Sequence, residues 1–211
     1  MAFQMSIIAI GALILQSALN GLGPNAVAAY TSAQKIDSIA CMPLNSLGAS
    51  MATYAAQNYG AGKIDRVRKG VFQCVLMTIG SSIFLGIMNF CFGGTLASFF
   101  IGADAPQVVE YAQIFLSVNG SLYWVLGLLF VYRFTLQGLG NGTVPTIAGI
   151  MELIMRAIGG IFLVDMLGFT GAAISNPLAW IGACIPLSIA YYYEIRKLGR
   201  TFQNNLKVSA N

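Results

Sequence analysis

Apolar runs of about 20 residues, parted by short turns rich in glycine, proline and asparagine, follow one another along this chain. A helix needs that length to cross a ~30 Å hydrocarbon core at ~1.5 Å per residue, so the pattern predicts an all-α integral membrane protein. Six spans emerge. The first covers residues 2–20 and stops at GLGPN. The second, 26–59, contains Pro43, which frees a backbone carbonyl and predicts a bend near the middle. The third is 71–92, and the turn FFIGADAP follows it, with Asp104 as a cap and Pro106 in the first turn of the next helix. The fourth span is 107–136, the fifth 144–166 and the sixth 172–195, leaving 196–211 as a tail. Composition agrees, with 57% hydrophobic and 9% charged residues, against about a quarter charged in soluble domains.

Cytoplasmic loops of membrane proteins are enriched in Lys and Arg. Six crossings put the turn after the second span, the turn after the fourth, and the tail on one side. These hold Lys63, Arg66, Arg68 and Lys69, then Arg133 at the edge of its turn, then Arg196, Lys197, Arg200 and Lys207, nine of the eleven bases. The opposite turns contain Asp104 and Asp165 and no base. The expectation is therefore a multi-pass protein of the cell membrane with a cytoplasmic C-terminus and the lipid bilayer as its first partner. Tyr191, Tyr192 and Tyr193 fit the aromatic belt at the same interface. The bases behind a pI near 8.9 lie between apolar runs instead of along one face of a soluble fold, which argues against nucleic acid. The chain starts within its first span with no polar flank, as expected of a truncated lobe. The run before Ala26-Val27-Ala28 lacks the basic region of a signal peptide.

Charges inside the spans mark function or register. Glu152 and Arg156 stand four apart on the fifth span, acid first, the favourable order on one helical face. Each charge costs ~2.5–3.5 kcal/mol on insertion scales, so that face should look toward protein or water. Lys35 and Asp37 on the second span are two apart and cannot meet each other. Depth along the helices places all four near the membrane centre, predicting a neutral cluster of Lys35, Asp37, Glu152 and Arg156 between the second and fifth spans. Such a cluster is either an ion-pair staple that sets register or a switch in which Asp37 or Glu152 takes up a proton or cation. Gln4, Gln16, Asn20 and Asn176 read as contacts between helices, while Gln34, Asn45, Asn119 and Tyr123 are candidates for lining a substrate cavity. Enzyme chemistry finds no support. Histidine is absent, and no nucleophile elbow, HExxH or phosphate-cradling loop occurs. The scattered cysteines offer no metal site, and no cofactor is expected.

The run LNGLGPNAVAAYTSAQKI followed by MPLNSLGASMATYAAQNYGAGKIDRVRKG resembles the seventh and eighth helices of multidrug and toxic compound extrusion (MATE) transporters. The family's QNxGAGxxxR element falls on Gln57, Asn58, Gly60, Ala61, Gly62 and Arg66. The similarity continues through FFIGAD, LQGLGNGTVPTIAGIMELIMR and LGFTGAAISNPLAWIGA. The resemblance implies a twelve-helix antiporter of two six-helix lobes, of which this chain matches the C-terminal one. It implies efflux of small organic substrates, cationic by the sparse and neutral charge here, driven by H+ or Na+ through alternating access. An N-terminal lobe or a second copy would complete it. Some branches of the family carry a coupling carboxylate in the first or fourth helix of this lobe, where this chain has none and only Glu110, respectively. A lipid-linked sugar flippase of the same superfamily and a non-transporting remnant are the alternatives.

Overall fold

The computed structural model describes the backbone of residues 2–101 and 105–209 and the side chains of residues 6–100 and 105–201. The side chains of Gln4 and Lys207 and the Asp104 cap lie outside the described residues. Every regular element within them is a helix: α1 (Ala2–Asn20), α2 (Pro24–Gly60), α3 (Ile64–Ile101), α4 (Pro106–Ser121), α5 (Tyr123–Gly138), α6 (Thr143–Ile158), a π-helical turn (Gly159–Leu163), α7 (Val164–Leu167) and α8 (Phe169–Ser209).

Backbone chemistry sets the turns. After α2 the Lys63 N–H bonds to the Asn58 carbonyl at 2.8 Å and the Gly62 N–H to that of Tyr59 at 2.9 Å. Gly62 has φ 70°. This is a Schellman cap, in which a left-handed residue satisfies the last carbonyls of the helix. The same pair recurs after α5, where Asn141 bonds to Leu136, Gly140 bonds to Gln137 and Gly140 has φ 85°. The QNxGAG element is thus, in physical terms, a helix stop. Asn58 adds a side-chain bond to the Tyr54 carbonyl at 2.9 Å, and Gln57 and Arg66 are exposed.

The expected fourth span is broken. α4 and α5 meet at Leu122 with a 53° bend. No proline lies there. Tertiary contact makes the break instead: Gly120 lies so close to Gly86 that a Cβ on Gly86 would come 2.5 Å from the Gly120 carbonyl oxygen, and the Ser82 hydroxyl bonds to the Tyr123 carbonyl at 3.1 Å. By contrast, Pro43 lies inside an α2 that remains helical on both sides of it. On α6, Pro145, Ala148, Gly149 and Glu152 are buried, a spacing of three and four that forms one stripe. The π turn follows where Gly159 presses on Ser175.

α3, α6 with its continuation, and α8 are each long and apolar enough to cross a membrane, and the bent α4–α5 pair makes a fourth such span. α1 is apolar but shorter over its described side chains. α2 has the length, but the polar residues on it lower its hydropathy. The apolar surface of α3 faces outward, with Phe72, Phe84 and Phe90 more than half exposed, as a helix bathed in lipid requires. Inside, two apolar clusters form, one around Leu44, Tyr123, Leu129 and Leu187, the other around Leu15, Tyr30, Phe115 and Phe169. Polar residues gather where the two clusters meet.

Candidate functional site

A cavity of about 350 Å³ opens among α1, α2, α5, α6 and α8. α2 supplies a stripe of Tyr30, Gln34, Asp37, Cys41 and Asn45, spaced by three and four so that one side of the helix reaches the space. α5 contributes Phe130 and Arg133 at the same kind of interval, α6 contributes Glu152 and Arg156, and α8 contributes Asn176 and Trp180. Aromatic rings therefore form much of the wall around four charges.

Those charges divide into two groups. Glu152, 3% exposed, is held by the Arg133 guanidinium through Oε1 and by Arg156 at 3.9 Å through Oε2. Arg156 also donates to the Ile8 carbonyl at 3.5 Å. The Nε atoms of Arg133 and Arg156 are buried and have no protein partner among the described residues. Asp37 is bound differently. The Tyr123 hydroxyl donates to its Oδ1 at 2.7 Å, Asn89 donates to that hydroxyl at 2.7 Å, and the Cys41 thiol lies 3.8 Å from Oδ2. Among the described residues Asp37 has no ion pair. Tyr30 and Asn176 line the same cavity as both groups.

Several sequence expectations change here. Lys35 does not join a cluster: it is exposed and makes no salt bridge among the described residues. Two residues from Asp37 is about 200° around a helix, so the side chain leaves on the other side of α2. Arg133 takes the place expected for Lys35. Instead of edging a cytoplasmic turn, it is 8% exposed within α5 and paired with Glu152. Asp37 has a tyrosine where a base was expected. Gln34 and Asn45 line the cavity, and Tyr123 reaches it through Asp37. Asn119 is buried in α4 away from that wall, and both of its amide atoms are without a partner among the described residues. The sequence signal for Arg133 is VLGLLFVYRFTLQG, where it stands within an unbroken apolar run.

The family model described as MatE matches residues 1–162. The chain is 27% identical over 137 residues to the probable multidrug resistance protein YpnP of Bacillus subtilis (strain 168), covering 65% of this chain and 30% of that protein. It is 22% identical over 186 residues to the FAD transporter of Shewanella oneidensis, covering 88% of this chain and 40% of that one. Among solved structures, an outward-facing multidrug resistance MATE family transporter superposes with a TM-score of 0.86 at 18% identity, over 92% of this chain and 44% of that one. An inward-facing one superposes with a TM-score of 0.84 at 18% identity, over 94% and 46%. The chain thus spans less than half the length of these relatives and structures.

Proposed function

We infer that this chain, which belongs to the MatE family, forms the C-terminal lobe of a cation-coupled efflux antiporter. An N-terminal lobe or a second copy completes it, and the tail faces the cytoplasm. Asp37 is the residue that takes up the coupling H+ or Na+, in competition with a positively charged group of the substrate. One observation carries this reading: the two buried carboxylates of the cavity have opposite kinds of partner. Glu152 sits between two guanidiniums, and neutralising it would strand two buried charges at a cost of ~3–5 kcal/mol. Among the described residues Asp37 is held by neutral donors alone, so gain or loss of its charge breaks no ion pair there.

Tyr123 gives that charge a lever. It is the first residue of α5 after the break at Leu122, and its hydroxyl is the donor to Asp37. An ionised Asp37 accepts this bond. A protonated or cation-bound Asp37 makes it less well, which loosens the hold on the bent α4–α5 pair. A switch needs an element with two arrangements that the ligand biases, and a broken helix is such an element. Further support comes from the nearly equal fit of this chain to an outward-facing and an inward-facing structure, as expected of a lobe that rocks as a body.

The test is substrate efflux from cells expressing the chain with its completing lobe, using the same amount of membrane-inserted protein for each variant. Asp37→Asn should abolish dependence on the cation gradient while leaving insertion intact. Glu152→Gln should reduce the amount of folded protein and leave the coupling of what remains. Retained coupling in Asp37→Asn, or lost coupling in well-folded Glu152→Gln, overturns the reading.

A further inference from the structure

A second concavity, between α2 and α3, is separate from the cavity described above. Its α2 wall includes Leu47, Met51 and Tyr54, which lie roughly 120° away from the cavity stripe around the same helix, at ~100° per residue. Its α3 wall includes Gly70, Cys74 and Met77, spaced by four and three, so one face of that helix is used. Met51 and Cys74 are buried and make the floor, and the Cys74 thiol donates to the Leu47 carbonyl at 3.6 Å. Tyr54 and Met77 are 38% and 55% exposed and form open rims. Gly70 has no room for a Cβ beside the Tyr54 ring, whose hydroxyl donates to the Arg66 carbonyl at 3.3 Å. The groove has a volume of about 290 Å³.

Positive charge stands at one end of it. Arg66 and Lys69 come four residues before Gly70 and Gln73 of the groove, so they continue the same face of α3 toward its start. Both are exposed, and neither makes a salt bridge among the described residues. Asp65 is the one acid between Gln57 and Gly70. From Arg66 to Met77 the helix rises about 16 Å, about one leaflet of a ~30 Å hydrocarbon core. A cationic mouth on an apolar trough of that length matches one membrane lipid, phosphate at the mouth. We propose that the α2–α3 groove binds an anionic phospholipid, with one acyl chain along Met51, Cys74 and Met77 and the phosphate on Arg66 and Lys69. A phosphatidylcholine headgroup brings its own cation and weakens that attraction, whereas phosphatidylglycerol does not. Basic residues beside membrane helices select anionic lipid in this way, by about fivefold per base. The site uses neither Asp37 nor the cavity arginines, so it stands or falls apart from the transport reading.

Native mass spectrometry of the full chain, released from micelles and titrated with dioleoylphosphatidylglycerol or dioleoylphosphatidylcholine, counts bound lipid and yields a dissociation constant for each. The first phosphatidylglycerol should bind at least about fivefold more tightly than phosphatidylcholine. Arg66→Gln/Lys69→Gln should erase that preference. Arg196→Gln/Arg200→Gln removes the same charge from exposed positions on α8 and should change the preference by less than about twofold. Ser50→Phe fills the trough from an exposed position whose hydroxyl bonds to the Ser46 carbonyl of its own helix, so the variant should fold and bind both lipids at least about fivefold more weakly. Equal affinity of the unaltered chain for the two lipids overturns the proposal without any variant. Equal losses in the two double variants also overturn it, because they mean a general attraction to positive charge. Unaltered binding by Ser50→Phe removes the acyl chain from the groove and with it the proposed site.

Discussion

Glu152→Gln is the most demanding perturbation of this lobe, because one isosteric change removes the shared partner of two arginines. Arg133 and Glu152 are 8% and 3% exposed, so little solvent can compensate. Arg156 at 3.9 Å alone represents about 4 kcal/mol of attraction at an effective dielectric of ~20, before desolvation is subtracted. Breaking a buried pair by removing one member typically costs ~3–5 kcal/mol, since the remaining charge stays buried. For a chain of 150–250 residues each kcal/mol moves the melting temperature by ~2–4 °C, so Glu152→Gln should melt roughly 6–20 °C lower. Thermal unfolding in detergent micelles, followed by intrinsic fluorescence, measures it. The double variant Glu152→Gln/Arg133→Met removes one stranded charge together with the carboxylate and should recover at least half of the loss. If Glu152→Gln melts within about 2 °C of the unaltered chain, the triad is not what holds α5 to α6 and the assignment of Glu152 as a staple is wrong.

Three further outcomes follow from the same packing. Tyr123→Phe leaves Asn89 Nδ2 and Asp37 Oδ1 without the hydroxyl they share, which should cost ~1–3 kcal/mol. The melting temperature reports it, and combining Asn89→Leu with Tyr123→Phe should add little further loss. Gly138→Ala puts a Cβ against the Ala52 carbonyl oxygen, an overpacking worth ~1–3 kcal/mol that should appear as a lower melting temperature and less protein in the membrane. Lys35→Gln, at an exposed position with no salt bridge among the described residues, should change stability by no more than ~0.5 kcal/mol. A loss approaching that of Glu152→Gln would put Lys35 back among the paired charges.

What the sequence displays is whatever lies within a helical turn or two. Glu152 and Arg156 are legible because four residues apart means one face, and the stops at Gly62 and Gly140 are legible because glycine is the residue that enters the left-handed region cheaply. The Arg133–Glu152 pair joins residues 19 apart in the chain on two different helices, and no spacing rule encodes that. Nearness to the GLGNGTVP turn gives Arg133 the look of a loop residue, although its apolar neighbours point inward. The break at Leu122 is likewise tertiary. Asn119, Gly120 and Ser121 permit it locally, but Gly86 and Ser82 on α3 produce it. Lys35 misleads for a simpler reason: it stands close to Asp37 in sequence, while a separation of two on a helix points the two side chains apart.

The site therefore turns on a distinction that residue type alone cannot make. Asp37 and Glu152 are both buried carboxylates facing one cavity, and insertion energetics treat them alike. Their partners do not. Two guanidiniums pair with Glu152, which ties α5 to α6 and gives the arginines a defined geometry. Asp37 has a tyrosine and a thiol instead, and under the proposed coupling its charge depends on what enters the cavity. Because that tyrosine begins the helix after the break, the conditional charge is tied to the one place where the backbone of a span is already interrupted. A coupling mechanism needs a site that changes charge and an element that changes shape, joined by a contact that only one charge state makes well. In the coupling proposed for this lobe, the 2.7 Å bond from Tyr123 to Asp37 is the contact that would join them, so loss of the Tyr123 hydroxyl should uncouple ion uptake from helix movement even where the protein still folds.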